Sequence, residues 1–246
     1  MIERLLSEVP RFFSPSNMSL LLHAMGTTLA LTVIGCTLGF LFAFLLVFLR
    51  QTQGLAAAPV RLAAIAYVEI FRRIQFLVII YLVLFFIAAI MSNASLFLIA
   101  VVAICIYSTA YTAEIIRGGF ESVPRQQIEA AVAMNFSRWK TLTKVIMPQS
   151  WPVILPPALI FMVGFIKDTS LVSQVGVFEL TFRGKELNNM GFSGILVFGT
   201  IALLYFVLSY PLTRFGAWLE ARLATSRHQG AQRQLRQHPG SLGDES

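Results

Sequence analysis

The chain has 246 residues, of which 57% are hydrophobic and only 13% charged, and its formal net charge is +7. This composition excludes an ordinary water-soluble domain and points to a polytopic membrane protein, with a length that suits one membrane domain of several helices. The positive balance would suit nucleic acid in a soluble protein; here it is accounted for by Lys and Arg in cytoplasmic loops, and no nucleic acid is expected as a partner.

Residues 1–17 carry Glu3, Arg4, Glu8 and Arg11 among Leu5, Leu6, Phe12 and Phe13, with Pro10 and Pro15 interrupting. They are too polar and broken for the apolar core of a signal peptide and read as an amphipathic lead-in at the membrane surface. Met18 to Leu49 then runs without Asp, Glu, Lys or Arg, more than the ~20 residues one crossing needs. Within it, Gly35-x-x-x-Gly39 forms a small-residue face for close helix packing, unless the two glycines merely sit in a lipid-facing helix. Cys36 and Cys105 lie inside apolar runs and imply neither a disulfide nor a metal site.

After Arg50 a loop leads to Arg61, and 63–73 is mixed, with Tyr67, Glu69, Phe71, Arg72 and Arg73. Arg72 and Arg73 either anchor a helix end at the headgroups or take part in transport. Ile74 to Ala113 is free of charge. Such a run is too long for one crossing and right for two, with Ser92-Asn93-Ala94-Ser95 as the turn.

Glu114 to Pro148 is the long polar segment of the chain and reads as two short helices with a corner. Ser122 caps the first helix, Pro124 suits its first turn, and Asn135 stops it in the left-handed conformation. Ser137 caps the second, which runs to Pro148 through Trp139, Lys140 and Lys144. Ala130, Ala131 and Ala133 allow another surface to come close, Ile128 and Val132 offer an apolar stripe, and Glu129 can accept charge-assisted hydrogen bonds. The competing reading is an amphipathic hairpin on the bilayer, with Arg138, Lys140 and Lys144 near lipid headgroups.

A fourth span begins past Pro148, and Pro152, Pro156 and Pro157 imply a broken or kinked start. Lys167 and Asp168 follow, charges that are costly in a span and should face protein or water. Either they line a pathway, Lys167 meeting a carboxylate and Asp168 an amino group beside Thr169, Ser170 and Ser173, or they pair with other helix charges. Residues 178–187 read as a balanced loop able to meet a soluble partner, Met190 to Thr213 as a fifth span, and 222–246 as a disordered tail.

Several stretches resemble one family. Glu129-Ala130-Ala131, then Asn135, Val145 and Met147-Pro148, is similar to the "EAA" loop of ATP-binding-cassette importer permeases, where Gly, Ile and Leu occupy the places of Asn135, Val145 and Met147. Val68-Glu69-Ile70-Phe71-Arg72 resembles a corner of amino-acid importers, with Arg73 and Gln75 replacing a small residue and Pro. Tyr107 to Ile115 resembles the lead-in to the loop, and Lys167-Asp168-Thr169-Ser170-Leu171 resembles a segment of polar amino-acid permeases.

The resemblance covers most of Met18 to Leu219. It implies an all-α, type I importer-like membrane domain over 18–221 with about five transmembrane helices and a cytoplasmic coupling loop at about 117–148. It assigns ATPase coupling to Glu129, Ala130, Ala131, Asn135 and Pro148, and a substrate pathway to Lys167, Asp168, Thr169, Ser170, Ser173 and Glu69. It implies alternating access with separate ABC ATPase subunits, a second permease, identical or homologous, and an extracytoplasmic solute-binding protein, and membrane lipid around this chain. The chain carries no Gly-rich nucleotide loop, no Ser/His/Asp set and no metal motif, so no enzyme activity and no cofactor is expected in it; a partner hydrolyses ATP.

Five crossings put the chain ends on opposite sides. Arg50, Arg61, Arg117, Arg125, Arg138, Lys140, Lys144 and the tail residues Arg222, Arg227, Arg233 and Arg236 then share one face, which places the loop and the C-terminus in the cytoplasm of a bacterial inner membrane and the N-terminus outside. The rival reading is a stand-alone secondary transporter or channel for a small polar solute. Against it stand the few ionisable residues in the spans and the absence of an inverted repeat.

Overall fold

The computed structural model describes the backbone of residues 2–50, 58–91 and 93–237, and the side chains of those described residues from 7 to 223. Most of the loop expected after Arg50, Ser92 of the expected turn, and residues 238–246 lie outside the described residues. Every regular element among the described residues is helical.

The helices are α1 (Ile2–Phe12), α2 (Pro15–Arg50), α3 (Ala58–Arg73), α4 (Phe76–Ile90), α5 (Leu96–Glu121), α6 (Arg125–Ala133), α7 (Arg138–Thr141), α8 (Met147–Asp168), α9 (Leu180–Asn189) and α10 (Gly194–Gln237). A π-helical turn at Leu142–Ile146 joins α7 to α8, and a 3-10 segment at Thr169–Val175 extends α8. Four stretches are long and apolar enough to cross a membrane, and α3 with α4 forms a fifth if that pair, bent by 116°, counts as one span. With 15 residues, α4 is shorter than the ~20 a straight crossing requires. Its span therefore depends on α3 across the bend at Arg73–Gln75.

Helices in lipid gain little from apolar burial against one another, so close backbone approach decides which faces meet. In α2 that face is Gly35 and Gly39, as expected from their spacing. A Cβ on Gly35 would overlap Ile104 of α5, and one on Gly39 would overlap Ser108. Ser108 Oγ donates to the Gly35 carbonyl at 3.2 Å, a bond between helices made where small residues let them touch.

Three apolar clusters stack along the bundle. The middle one joins Leu31 of α2, Ile80 of α4, Ile104 of α5 and Phe165 of α8. At one end Val47, Val68, Ile116 and Ile154 gather beneath the α6–α7 hairpin. At the other, Phe12 of α1 packs with Leu21, Leu180 and Val197. The lead-in is thus more than a surface helix: Phe12 is fully buried, and Glu8 Oε2 accepts the Ser193 N–H at 2.7 Å.

Four expectations change. Ser122 ends α5 instead of capping α6, because its hydroxyl donates to the Gly119 carbonyl at 2.7 Å. The break expected from Pro152, Pro156 and Pro157 is absent, since all three lie inside α8, and the irregular turn comes ahead of them as the π turn. Pro148 has no N–H to offer, and the Met147 N–H reaches back five residues to Leu142, so the helical path runs unbroken from Arg138 to Val175. The loop expected at 178–187 contains α9, whose Leu180, Gly184 and Leu187 turn into the bundle. The tail expected to lack order from 222 continues as helix to Gln237, in keeping with its Ala, Arg and Gln content and the absence of Pro before Pro239.

Candidate functional site

The α6–α7 hairpin is built by local chemistry. At the end of α6 the Phe136 N–H donates to the Ala131 carbonyl at 3.0 Å and the Asn135 N–H to the Val132 carbonyl at 2.9 Å. This paired pattern needs a left-handed residue between helix and exit, and Asn135 supplies it at φ 60°, the one non-glycine residue with positive φ among those described. Ser137 Oγ then accepts the Lys140 N–H at 3.3 Å and opens α7.

The hairpin turns Glu129, Ala130 and Ala133 outward, together with Val132 (64% exposed) and Met134 (63%). Ala131 points the other way and is buried, so it supports α6 from inside and is closed to a second surface. Trp139 is 64% exposed and meets Phe48 edge to face at 5.9 Å. A groove of about 840 Å³ runs beside the hairpin, lined by Phe48, Ile128, Val132, Phe136 and Trp139 among others. Pro148 sits beyond the π turn, as the second residue of α8.

Beneath the hairpin, three guanidinium groups converge on one carboxylate. Glu114 of α5 pairs with Arg117, and its Oε2 lies 3.7 Å from Arg50 Nη1 of α2 and 3.5 Å from Arg72 Nη1 of α3. Arg117 also pairs with Glu121 at 2.5 Å. Arg72 is therefore a structural ion-pair member that ties α3 to α5, and its carbonyl accepts from Tyr111 Oη at 3.2 Å. Arg73 instead pairs with Glu69 at 2.9 Å on an open surface, with 80% of its side chain exposed.

The segment from Lys167 to Ser173 separates by helix face. Asp168 lines a cavity of about 360 Å³ at the α3–α4 corner, together with Arg72, Arg73, Gln75, Tyr107 and Tyr111. A run of aromatic rings backs it: Tyr107 and Tyr111 lie 4.6 Å apart, and Tyr111 stacks on Phe161 at 5.5 Å. Among the described residues, Glu69 joins this corner through its pair with Arg73. Lys167 and Ser170 face a different cleft, between α8 and α10. Thr169 and Ser173 are buried and already bonded: Thr169 Oγ1 donates to the Ile166 carbonyl at 2.6 Å, and Ser173 Oγ accepts from Lys185 Nζ at 3.0 Å.

Sequence reading missed Glu179. It is fully buried, caps α9 by accepting the Phe182 N–H at 2.7 Å, and accepts from Tyr205 Oη of α10 at 2.8 Å. Burial pushes its carboxyl up from the ordinary value, against the lowering effect of these hydrogen bonds. The Leu180 N–H beside it donates to Thr28 Oγ1 of α2 at 3.2 Å. The apolar spacing Leu180, Gly184, Leu187 is the helical signal that would have revealed α9.

Comparison with known proteins agrees with this architecture. A family model described as "Binding-protein-dependent transport system inner membrane component" matches residues 54–225. The glutamine transport system permease protein GlnP of Escherichia coli (strain K12) is 32% identical over 206 residues, covering 83% of this chain and 93% of GlnP. The inner membrane amino-acid ABC transporter permease protein YhdY of the same organism is 27% identical over 174 residues, 68% of this chain; the match spans only 47% of YhdY. A crystal structure of an amino acid ABC transporter with histidines superposes with a TM-score of 0.78 at 27% identity, covering 89% of this chain and 98% of that one. The chain thus belongs to the binding-protein-dependent transport system inner membrane components, the family that includes these amino-acid ABC transporter permeases.

Proposed function

We propose that this chain is the membrane-spanning subunit of an ATP-driven importer that translocates polar amino acids or their close derivatives by alternating access. The observation that carries the reading is the α6–α7 hairpin, which turns Glu129, Ala130 and large apolar side chains away from the bundle that holds it. Such a surface suits the groove of an ATPase subunit. ATP is bound and hydrolysed in that partner, and this chain holds no cofactor.

The route from hairpin to solute is mechanical. One helical path leads from Arg138 through the π turn to Asp168 and Val175, and α5 leads from the hairpin base back to Tyr111 and Tyr107. A shift of the hairpin therefore moves both walls of the cavity that Asp168 lines. Coupling of this kind is reciprocal, so a loaded solute-binding protein outside biases the ATPases through the same elements. A second permease, identical or homologous, completes the pathway. The basic residues of the hairpin and of the end of α10 put both on the cytoplasmic side of the inner membrane, with the N-terminus outside. The amino-acid class is taken from GlnP and YhdY, whose names state it, and from the Lys167-to-Leu171 segment.

The test is ATP-dependent uptake of labelled L-glutamine and other polar amino acids by right-side-out vesicles that contain the complete transporter and are loaded with ATP, with the solute-binding protein outside. Wild type accumulates at least one of them in an ATP-dependent manner, and Glu129→Lys abolishes uptake at unchanged abundance of the chain. Normal uptake by that variant contradicts the coupling role, and uptake driven by a proton gradient without ATP favours a stand-alone transporter.

A further inference from the structure

Glu114 divides its two oxygens between its own helix and its neighbours. Oε1 accepts from Arg117 Nε at 3.0 Å, one turn along α5, and Arg117 Nη1 pairs in turn with Glu121, the last residue of α5 before the hairpin. Oε2 is turned to other helices: Arg50 Nη1, at the end of α2, lies 3.7 Å away, and Arg72 Nη1, in the last turn of α3, lies 3.5 Å away. A guanidinium holds its donors in a fixed fork. Arg117, bonded to Oε1 through Nε and Nη2, therefore braces the carboxylate and fixes the direction in which Oε2 points. Glu114 and Arg50 are mostly buried, so their charges are screened less than those of an open surface pair.

Arg72 stands at the far end of this series of pairs and at the edge of the cavity that Asp168 lines. Its guanidinium lies over the Tyr111 ring, 5.8 Å from the centroid, and the Tyr111 hydroxyl donates to its carbonyl at 3.2 Å. Tyr111 lines the same cavity. The middle of α3 has a separate tie, from Tyr67 Oη to the Ile106 carbonyl at 2.8 Å. The last turn of α3, from which the chain bends into α4, has its polar ties to α5 through Arg72 among the described residues. We infer that Glu114 is a positioning residue for transport: it holds Arg72 against Tyr111 and makes the α3–α4 corner move with α5 when the hairpin shifts. This deepens the transport reading and rests on it, adding a link that lies outside both the ATPase-facing surface and the Lys167-to-Ser173 segment. Without the carboxylate, α5 still follows the hairpin, but the corner no longer follows α5.

The complete transporter, with its ATPase subunits and solute-binding protein, is reconstituted in proteoliposomes, and uptake and ATP hydrolysis are measured together. The probe is labelled L-glutamine or, failing that, whichever common L-amino acid wild type accumulates. In Glu114→Gln, ATP hydrolysis continues while uptake per ATP falls about fivefold or more, the scale of ordinary coupling between sites. Arg72→Gln gives the same fall, and Glu114→Asp, which keeps the carboxylate, stays close to wild type. The double variant of Glu114→Gln with Arg72→Gln regains part of the stability, yet its uptake per ATP stays low. Uptake and hydrolysis that fall in proportion, as in a merely destabilised protein, overturn the inference. So does a double variant whose uptake per ATP recovers along with its stability. If Glu114→Gln does not fold, Arg72→Gln alone decides, since it leaves Glu114 paired with Arg50 and Arg117: an unchanged ratio overturns the link. Wild type that hydrolyses ATP without accumulating any probe, or that holds no ATPase, is the separate failure of the transport reading, and the inference falls with it.

Discussion

Gly39 of α2 faces Ser108 of α5 with no room for a side chain: a Cβ on the glycine would overlap the serine hydroxyl and lie 3.0 Å from the Thr109 amide nitrogen. The contact sits on the most extensive helix pairing of the bundle, and the neighbouring Ser108–Gly35 hydrogen bond depends on the same close approach. Gly39→Ala is expected to push the two helices apart and destabilise the fold by about 1–3 kcal/mol, the usual cost of overpacking. Unfolding of the detergent-solubilised protein checks this. Gly26→Ala, where the added Cβ meets nothing within 4 Å, is the control and is expected to be near neutral.

Asn135 carries the hairpin turn in a left-handed conformation. Asn135→Gly is expected to preserve or slightly raise stability, since Gly adopts this conformation without a Cβ penalty. Asn135→Val is expected to cost about 1–2 kcal/mol and to loosen the α6–α7 connection. Protease sensitivity at 134–137 measures the second effect directly.

Glu114 is the single carboxylate between Arg50 and Arg72, and it shares Arg117 with Glu121. Glu114→Gln leaves three guanidinium groups close together without it. Because these side chains are partly exposed, the expected loss is about 1–2 kcal/mol, below that for a fully buried pair. Combining it with Arg72→Gln is expected to recover part of the loss, and a double-mutant cycle on unfolding free energies reads that coupling.

Glu179 makes stability depend on pH. Burial raises its folded carboxyl above the ordinary 4.5, so the folded state binds the proton more tightly than the unfolded one. Its contribution is fully present below that ordinary value and is lost as pH rises through the raised folded one. Glu179→Gln, which keeps an oxygen and the side-chain shape, is expected to remove this decline. Melting temperatures of the two proteins should separate in favour of the variant as pH rises from 4.5 toward neutral. A constant difference at all pH values contradicts the assignment.

What was legible in the sequence was local. Gly35 and Gly39 share a face by spacing alone, and Asn135 follows from the preference of Asn for left-handed backbone. The opposed placement of Lys167 and Asp168 follows from helix geometry, since adjacent residues cannot share a face. Relationships spread along the chain were not legible. Glu179 reads as a solvated loop residue until Tyr205 and Thr28 are seen to surround its turn, and they stand far from it in sequence. Ser122 was ambiguous for another reason: serine hydroxyls bond backbone at either end of a helix, and only its bond to Gly119 decides which. Ala131 looked like its neighbours Ala130 and Ala133 because composition alone does not tell which face of a nine-residue helix turns inward.

The central claim is that the hairpin engages an ATPase subunit through Glu129. The most direct measurement is mild solubilisation of the tagged full chain from its native membrane, followed by identification of what co-purifies with wild type and with Glu129→Lys. The account predicts an ATP-binding-cassette ATPase with wild type and its loss with the variant, at equal recovery of the chain. An ATPase retained by both, or absent from wild type under conditions that keep a known importer complex together, would contradict it.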